Sequence, residues 1–236
     1  TKTLPKIIIP VHLCGQPVNM KKLSSLSQKY GFKIIEDASH AIGAKYLNEE
    51  GYLNPIGDCM YSDICIFSFH PVKIITSGEG GMAMTNDRKV ASTLKSLRSH
   101  GISREADDFK PRDPNEIWNY QQIQLGFNYR ITDIQAALGR SQMHRIDAFI
   151  DRRHQIADIY ASELSKLPII LPAQDPLSRS SYHLYPIRIL PTENAKTQKT
   201  IYSELHAEGI LVNLHYVPVY RHPYYEALGF KAGHCP

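Results

Sequence analysis

The sequence predicts a layered α/β domain with a mostly parallel sheet and flanking helices, followed by part of a smaller α+β unit. Three observations carry that prediction. Short β-branched runs alternate with segments of helical periodicity through the first half. A helical pattern from Thr132 to about Leu167 is longer than one ordinary globular helix. Beyond Pro168 the pattern becomes strand, helix, strand. The expected division is 1–131 for the large domain, 132–167 for an inter-domain helical region and 168–236 for the small unit.

Taken in order, Ile7 to Val11 reads as a buried strand. Met20 to Tyr30 places Leu23, Leu26 and Tyr30 at helical spacing and stops at Gly31, a C-terminal cap. Phe32 to Glu36 is a second strand. Leu47 to Gly57 reads as a loop, Ile64 to Phe69 as a third strand and Gly81 to Thr85 as a fourth. Asn86-Asp87 opens a helix that runs to about Ser99. The charged stretch from Gly101 to Ile123, with Pro111 and Pro114, reads as a surface loop. Thr132 is a good N-cap for the helical region. The small unit is expected as a strand at Tyr182 to Ile189, a helix at Ala195 to Glu208 and a strand at Ile210 to Tyr216.

At 236 residues and 42% hydrophobic content the chain can bury a real core. Its apolar runs are far shorter than the ~20 residues that cross a bilayer, and the Lys-flanked start lacks the features of an export signal. Cys14, Cys59, Cys65 and Cys235 form no CxxC pair and no ligand spacing with histidine. A soluble protein of the reduced cytoplasm, with no metal and no membrane partner, is the expectation. The net charge of +4 comes from scattered basic residues, which argues against nucleic acid and suits an anionic small molecule.

In open α/β sheets ligands sit at the carboxyl ends of the strands. The second strand delivers Asp37 there, and the third delivers Ser68 and, after a turn at Pro71, Lys73. A carboxylate and an amine could thus face one flat ring, the pair a pyridoxal-phosphate (PLP) enzyme needs: a lysine for the cofactor aldehyde and a carboxylate for its pyridine nitrogen. Each residue alone has a plainer reading. Lys73 could be a solvated surface lysine, Asp37 a helix cap, His40 a hydrogen-bonded loop histidine and Ser68 a turn serine.

Four segments occur in order: EDASHAIGA (Glu36 to Ala44), SFHPVKIITSGEGG (Ser68 to Gly81), GFNYRITDIQAALG (Gly126 to Gly139) and HYVPVY (His215 to Tyr220). Together they resemble the DegT/DnrJ/EryC1/StrS sugar aminotransferases over nearly the whole chain. That resemblance implies a PLP-dependent aminotransferase type I-like fold. It implies Lys73 as the Schiff-base residue, Asp37 at the pyridine nitrogen, His40 against the cofactor and Ser68 on its phosphate. Asn128 is similar to an asparagine that reaches the phosphate of the neighbouring subunit's cofactor, which implies a homodimer with shared sites. Lys73, once freed, would move the proton between substrate and cofactor.

Within the family, these segments together with SYHLYPI (Ser181 to Ile187) most resemble the branch that serves pseudaminic-acid biosynthesis. Its substrate is a UDP-linked 4-keto-6-deoxy-N-acetylhexosamine and its amino donor is glutamate, with His215 and Tyr216 expected to face the sugar nucleotide. Alternatively, His215 and Tyr216 are a strand-end pair under a proline turn. Family members carry a further segment before the first strand seen here, with a Gly-Thr-Ala stretch on the phosphate, and continue beyond Pro236. The large domain's first part and the rest of the small domain are therefore expected outside this chain. Two other functions compete: a same-family sugar dehydratase, against which Lys73 speaks because histidine stands there in dehydratases, and a non-catalytic sugar-nucleotide binder. A generic Rossmann-type binder lacks its GxGxxG turn.

Overall fold

The structure, a computed structural model, describes residues 3–104, 115–190 and 196–234. Its central sheet has the order β1 (Ile7–Ile8), β2 (Lys33–Asp37), β5 (Ile64–Ser68), β6 (Gly81–Met84). The first three strands run parallel and β6 pairs antiparallel with β5, Ser68 opposite Gly81. This is the mixed α/β arrangement that the alternation of runs predicts. The carboxyl ends of β2 and β5 and the start of β6 therefore share one sheet edge.

Local chemistry accounts for the helices. α1 (Met20–Tyr30) has the expected span, closed as predicted by Gly31 at φ 75°; its start is capped by the Asn19 side chain, which accepts from Lys22 N at 3.0 Å. Asp87 caps α2 (Arg88–Leu97) by accepting from Lys89 N and Val90 N. The long pattern beginning at Thr132 is two helices, α3 (Asp133–Met143) and α4 (Ile146–Leu164), broken at His144-Arg145 by one tight turn with no Gly or Pro to mark it. Thr132 and Gln135 form a capping box on α3.

Other expectations are corrected. Of Ile7 to Val11 only Ile7–Ile8 is strand, at the edge of the sheet order, and Ile7, Ile9 and Val11 are exposed, not buried. Leu47 to Gly57 is no plain loop: β3 (Lys45–Leu47) and β4 (Leu53–Pro55) form a hairpin whose turn is closed by Asn48 Oδ1, accepting from Glu50 N and Tyr52 N. β10 (Ser178–Arg179) adds a third strand to it. In the Gly101 to Ile123 stretch, β7 (Ile102–Ser103) pairs with β8 (Gln121–Gln122), and 105–114 lies outside the described residues.

Tyr182 to Ile189 is not one strand. The carbonyls of Tyr182 and His183 accept from the Arg153 guanidinium instead of a neighbouring strand, leaving only β11 (Arg188–Ile189) paired with β9 (Ile169–Ile170). Ile210 to Tyr216 folds back onto the end of α5 (Gln198–Ala207): Ile210 N donates to Leu205 O and Val212 O accepts from His206 Nε2.

The chain divides into two compact units, Thr1–Ser162 with Ala173–Tyr185, and Glu163–Pro172 with Pro186–Pro236. In the first, the small residues after Asp37 let a helix come close. Ala38, Ala41 and Ala44 are buried with Ile150 of α4, and a Cβ on Gly43 would stand 3.0 Å from Ile150 Cγ1. Burying a side chain such as Ile34, Ile75 or Ile150 stabilises by about 1.5–3 kcal/mol. The second unit holds β9, β11, α5, a 3-10 turn at Val219–Arg221 and α6 (Pro223–Ala227). Among the described residues no helix is long and apolar enough to cross a membrane.

Candidate active site

Asp37 ends β2 with its backbone held on both sides. Its N–H donates to Pro10 O and its C=O accepts from His12 N, while Ala38 N donates to Ile66 O of β5. Its Oδ1 accepts from Ser39 N at 3.0 Å, which fixes the rotamer and leaves the second oxygen for another partner.

Lys73 sits in the connection from β5 to β6. The chain turns at His70, whose C=O accepts from Lys73 N, and returns where Ser77 N and Thr76 Oγ1 both donate to Phe69 O. Thr76 N donates to Gln142 Oε1, which pins this loop to α3. Gly80, at φ 150°, has no room for a side chain: a Cβ would lie 2.6 Å from Ser77 Oγ. Ile74, Ile75 and Ser77 are buried, so Lys73 projects half-buried from a rigid loop. Burial pushes its amine below the ordinary lysine value, and the Asp37 charge pulls part of the way back. Ser68 ends β5, half-buried, its Oγ accepting from His70 N.

His40 is buried three residues beyond Asp37. Its Nδ1 accepts from Cys14 N at 3.3 Å, its carbonyl accepts from Ser181 Oγ at 2.9 Å, and its ring lies 4.4 Å from that of His183. Cys14 is no partner for an activated Cys–His pair, because burial raises its thiol, opposite to what a nucleophilic thiolate requires. The segments around Cys14 and Ser181 were not singled out by local spacing. They meet His40 from 26 and 141 residues away, a separation that leaves no periodic signal.

Asn128 lies in the first unit on an exposed turn, its backbone bridged to Ser99, with Phe127 and Tyr129 stacked at 4.9 Å on either side. His215 and Tyr216 belong to the second unit, both exposed, with ring centroids 4.5 Å apart. The structure thus gathers Asp37, Ser68 and Lys73 at one sheet edge, with His40 just past it.

The sequence profile described as the DegT/DnrJ/EryC1/StrS aminotransferase family matches residues 1–236. The chain belongs to that family. A UDP-4-amino-4,6-dideoxy-N-acetyl-beta-L-altrosamine transaminase of Campylobacter jejuni is 37% identical over 220 residues, 92% of this chain and 54% of that protein. The structure of Helicobacter pylori PseC, an aminotransferase of pseudaminic-acid biosynthesis, is 31% identical with a TM-score of 0.79, covering 95% of this chain and 56% of that one. Spr1654 of Streptococcus pneumoniae in its PLP form gives 28% and 0.78, over 95% and 58%. The chain spans a little over half the length of the relatives it matches. Pyridoxal phosphate is the cofactor that the aminotransferase family implies, and the donor set fits it: an amine with lowered proton affinity, a positioned carboxylate and a hydroxyl at one strand edge.

Proposed function

We propose that this chain carries the lysine and carboxylate of an aminotransferase that moves an amino group from glutamate to a UDP-linked 4-keto-6-deoxy-N-acetylhexosamine. The observation that supports the reading is the placement of Asp37 at the carboxyl end of β2 and of Lys73 in the connection that follows the adjacent β5. The names of the Campylobacter and Helicobacter relatives support the sugar class. Bound pyridoxal phosphate would supply an electron sink for the carbon that loses its proton.

The chain's own residues divide the remaining work. Asp37 would hold the pyridine nitrogen with the carboxylate oxygen that Ser39 leaves available. Lys73 would bind the aldehyde carbon and, when released, carry a proton between that carbon and the substrate; its burial keeps the amine closer to the neutral form that can accept one. Ser68 would donate to the phosphate, and His40 would lie against the ring. His215 and Tyr216 would contact the sugar nucleotide. Asn128 would serve the phosphate of a second copy, giving a two-fold dimer. Its setting suits an interface, since Tyr129 is 75% and Ile134 85% exposed.

Purified protein titrated with pyridoxal phosphate should develop a long-wavelength absorbance band, and borohydride should fix the cofactor on the Lys73 peptide. Lys73→Ala should abolish both. Mass spectrometry finding the reduced adduct on another lysine would overturn the assignment. The amino donor is tested by following loss of the cofactor band with glutamate, glutamine and alanine separately.

A further inference from the structure

Beneath Asp37 lies a buried polar network that the proposed chemistry does not use. His12 is fully buried and Glu36 is 4% exposed. His12 Nδ1 accepts from Val18 N at 3.0 Å, so the ring proton is on Nε2, which donates to Glu36 Oε2 at 2.8 Å. The other carboxylate oxygen, Oε1, accepts from Ser62 Oγ. Both oxygens of a buried carboxylate are thereby satisfied. An apolar pair of similar volume would be as stable or more so, because taking a charged group out of water costs several kcal/mol. The network therefore calls for a use beyond stability.

We propose that His12, Glu36 and Ser62 form a positioning network that sets Asp37 and His40 for the cofactor. Two connections lead from it to the site. The backbone N–H of His12 donates to Asp37 O at 3.0 Å, so the residue whose ring Glu36 anchors also holds the backbone against which Asp37 ends its strand. The same ring, through Val18 N, closes the loop from Leu13 to Pro17, and Cys14 N of that loop donates to His40 Nδ1. Glu36 is adjacent to Asp37 on β2 and faces the opposite way, so any rotation of the strand end that relaxed Glu36 would swing Asp37 with it. Directional hydrogen bonds hold this angle; an apolar contact, being non-directional, would not.

The inference rests on the cofactor site proposed above, and the test separates the two. In the full chain, Glu36→Leu keeps the volume and removes the acceptors, whereas Glu36→Gln can accept from His12 and donate to Ser62 Oγ. Titration with pyridoxal 5′-phosphate should show affinity about tenfold weaker for Glu36→Leu, with most of the loss recovered by Glu36→Gln. Ser62→Ala, a milder change, should weaken it about threefold. Without cofactor, amide hydrogen exchange at His12 and Asp37 should be faster in Glu36→Leu and Ser62→Ala, while that of α1 stays as in the parent. Exchange and affinity both unchanged in a folded Glu36→Leu or Ser62→Ala protein would overturn the positioning role. A parent chain that takes up no cofactor would sink the site reading alone, because the exchange measurement still decides the network. If Glu36→Leu does not fold, the Ser62→Ala and Glu36→Gln pair decides it.

Discussion

Asp37 and Asn128 are both assigned to a cofactor, yet the surroundings that hold them are opposite. Asp37 follows the nearly buried Glu36 and precedes the buried Ala38; its N–H and C=O are both held by the Pro10–His12 segment, and Ala38 N is held by Ile66 O of β5. Asn128 stands between two exposed aromatic residues on a turn whose backbone is held through Leu97, Arg98 and His100. The contrast teaches that a residue aimed into its own subunit is oriented by the core. If Asn128 serves a second copy as proposed, a defined backbone and an open, apolar approach are what it has.

The comparison breaks first on chemistry. Asp37→Asn keeps the shape and the Ser39 contact but removes the charge opposite the pyridine nitrogen. It should lower the amination half-reaction by about 10²–10³-fold with little change in melting temperature. Near-normal turnover in stopped-flow absorbance would remove Asp37 from the mechanism.

Mixing subunits sharpens the other side. In a heterodimer of Asn128→Ala and Lys73→Ala chains, one site carries both defects and the other neither, so activity should return toward half of the parent value. No recovery, with heterodimers verified by native mass spectrometry, would count against a shared site.

Stability should follow the same divide. Ile34, 1% exposed beside Met20 and Phe32, should cost about 2–5 kcal/mol when changed to Ala. Ile134→Ala, at 85% exposed, should stay within about 0.5 kcal/mol in the isolated chain. Chemical denaturation of both variants measures the gap, and a large loss for Ile134→Ala in monomeric protein would contradict the open surface.

The smallest effect concerns Lys73. Its proton is held less tightly in the fold than in the unfolded chain, so between the folded value and the ordinary 10.5 the unfolded state binds more protons. The contribution is therefore unfavourable at neutral pH, and stability rises as pH climbs through that window. Lys73→Met should raise the melting temperature of cofactor-free protein at neutral pH by on the order of 1 °C, after solvent screening. The gain should shrink toward pH 10.5. A gain that grows with pH would contradict the sign.

Elements with chemical punctuation were legible in the chain itself. Gly31 closes α1, Asp87 opens α2 and Thr132 opens α3, each because a side chain or a left-handed glycine satisfies helix-end groups within a few residues. Elements defined by remote partners were not. The Tyr182 to Ile189 run has strand-like composition, but Arg153 occupies its carbonyls, and the Asn48 turn makes a hairpin only because Tyr46 and Leu47 find Asn54 and Leu53.

The same boundary runs through the site. Order and spacing alone placed Asp37 and Ser68 at strand ends and Lys73 just after one, since a strand's carboxyl end is a local property of the chain; that the two strands, β2 and β5, are neighbours is a tertiary fact. Only the tertiary structure decided that Lys73 is half-buried within reach of the Asp37 charge, that Ser181 and Cys14 meet His40, and that His12 and Ser62 satisfy Glu36. Burial and long-range hydrogen bonds depend on which segments are brought together, and no spacing along one segment encodes the partner that another segment supplies.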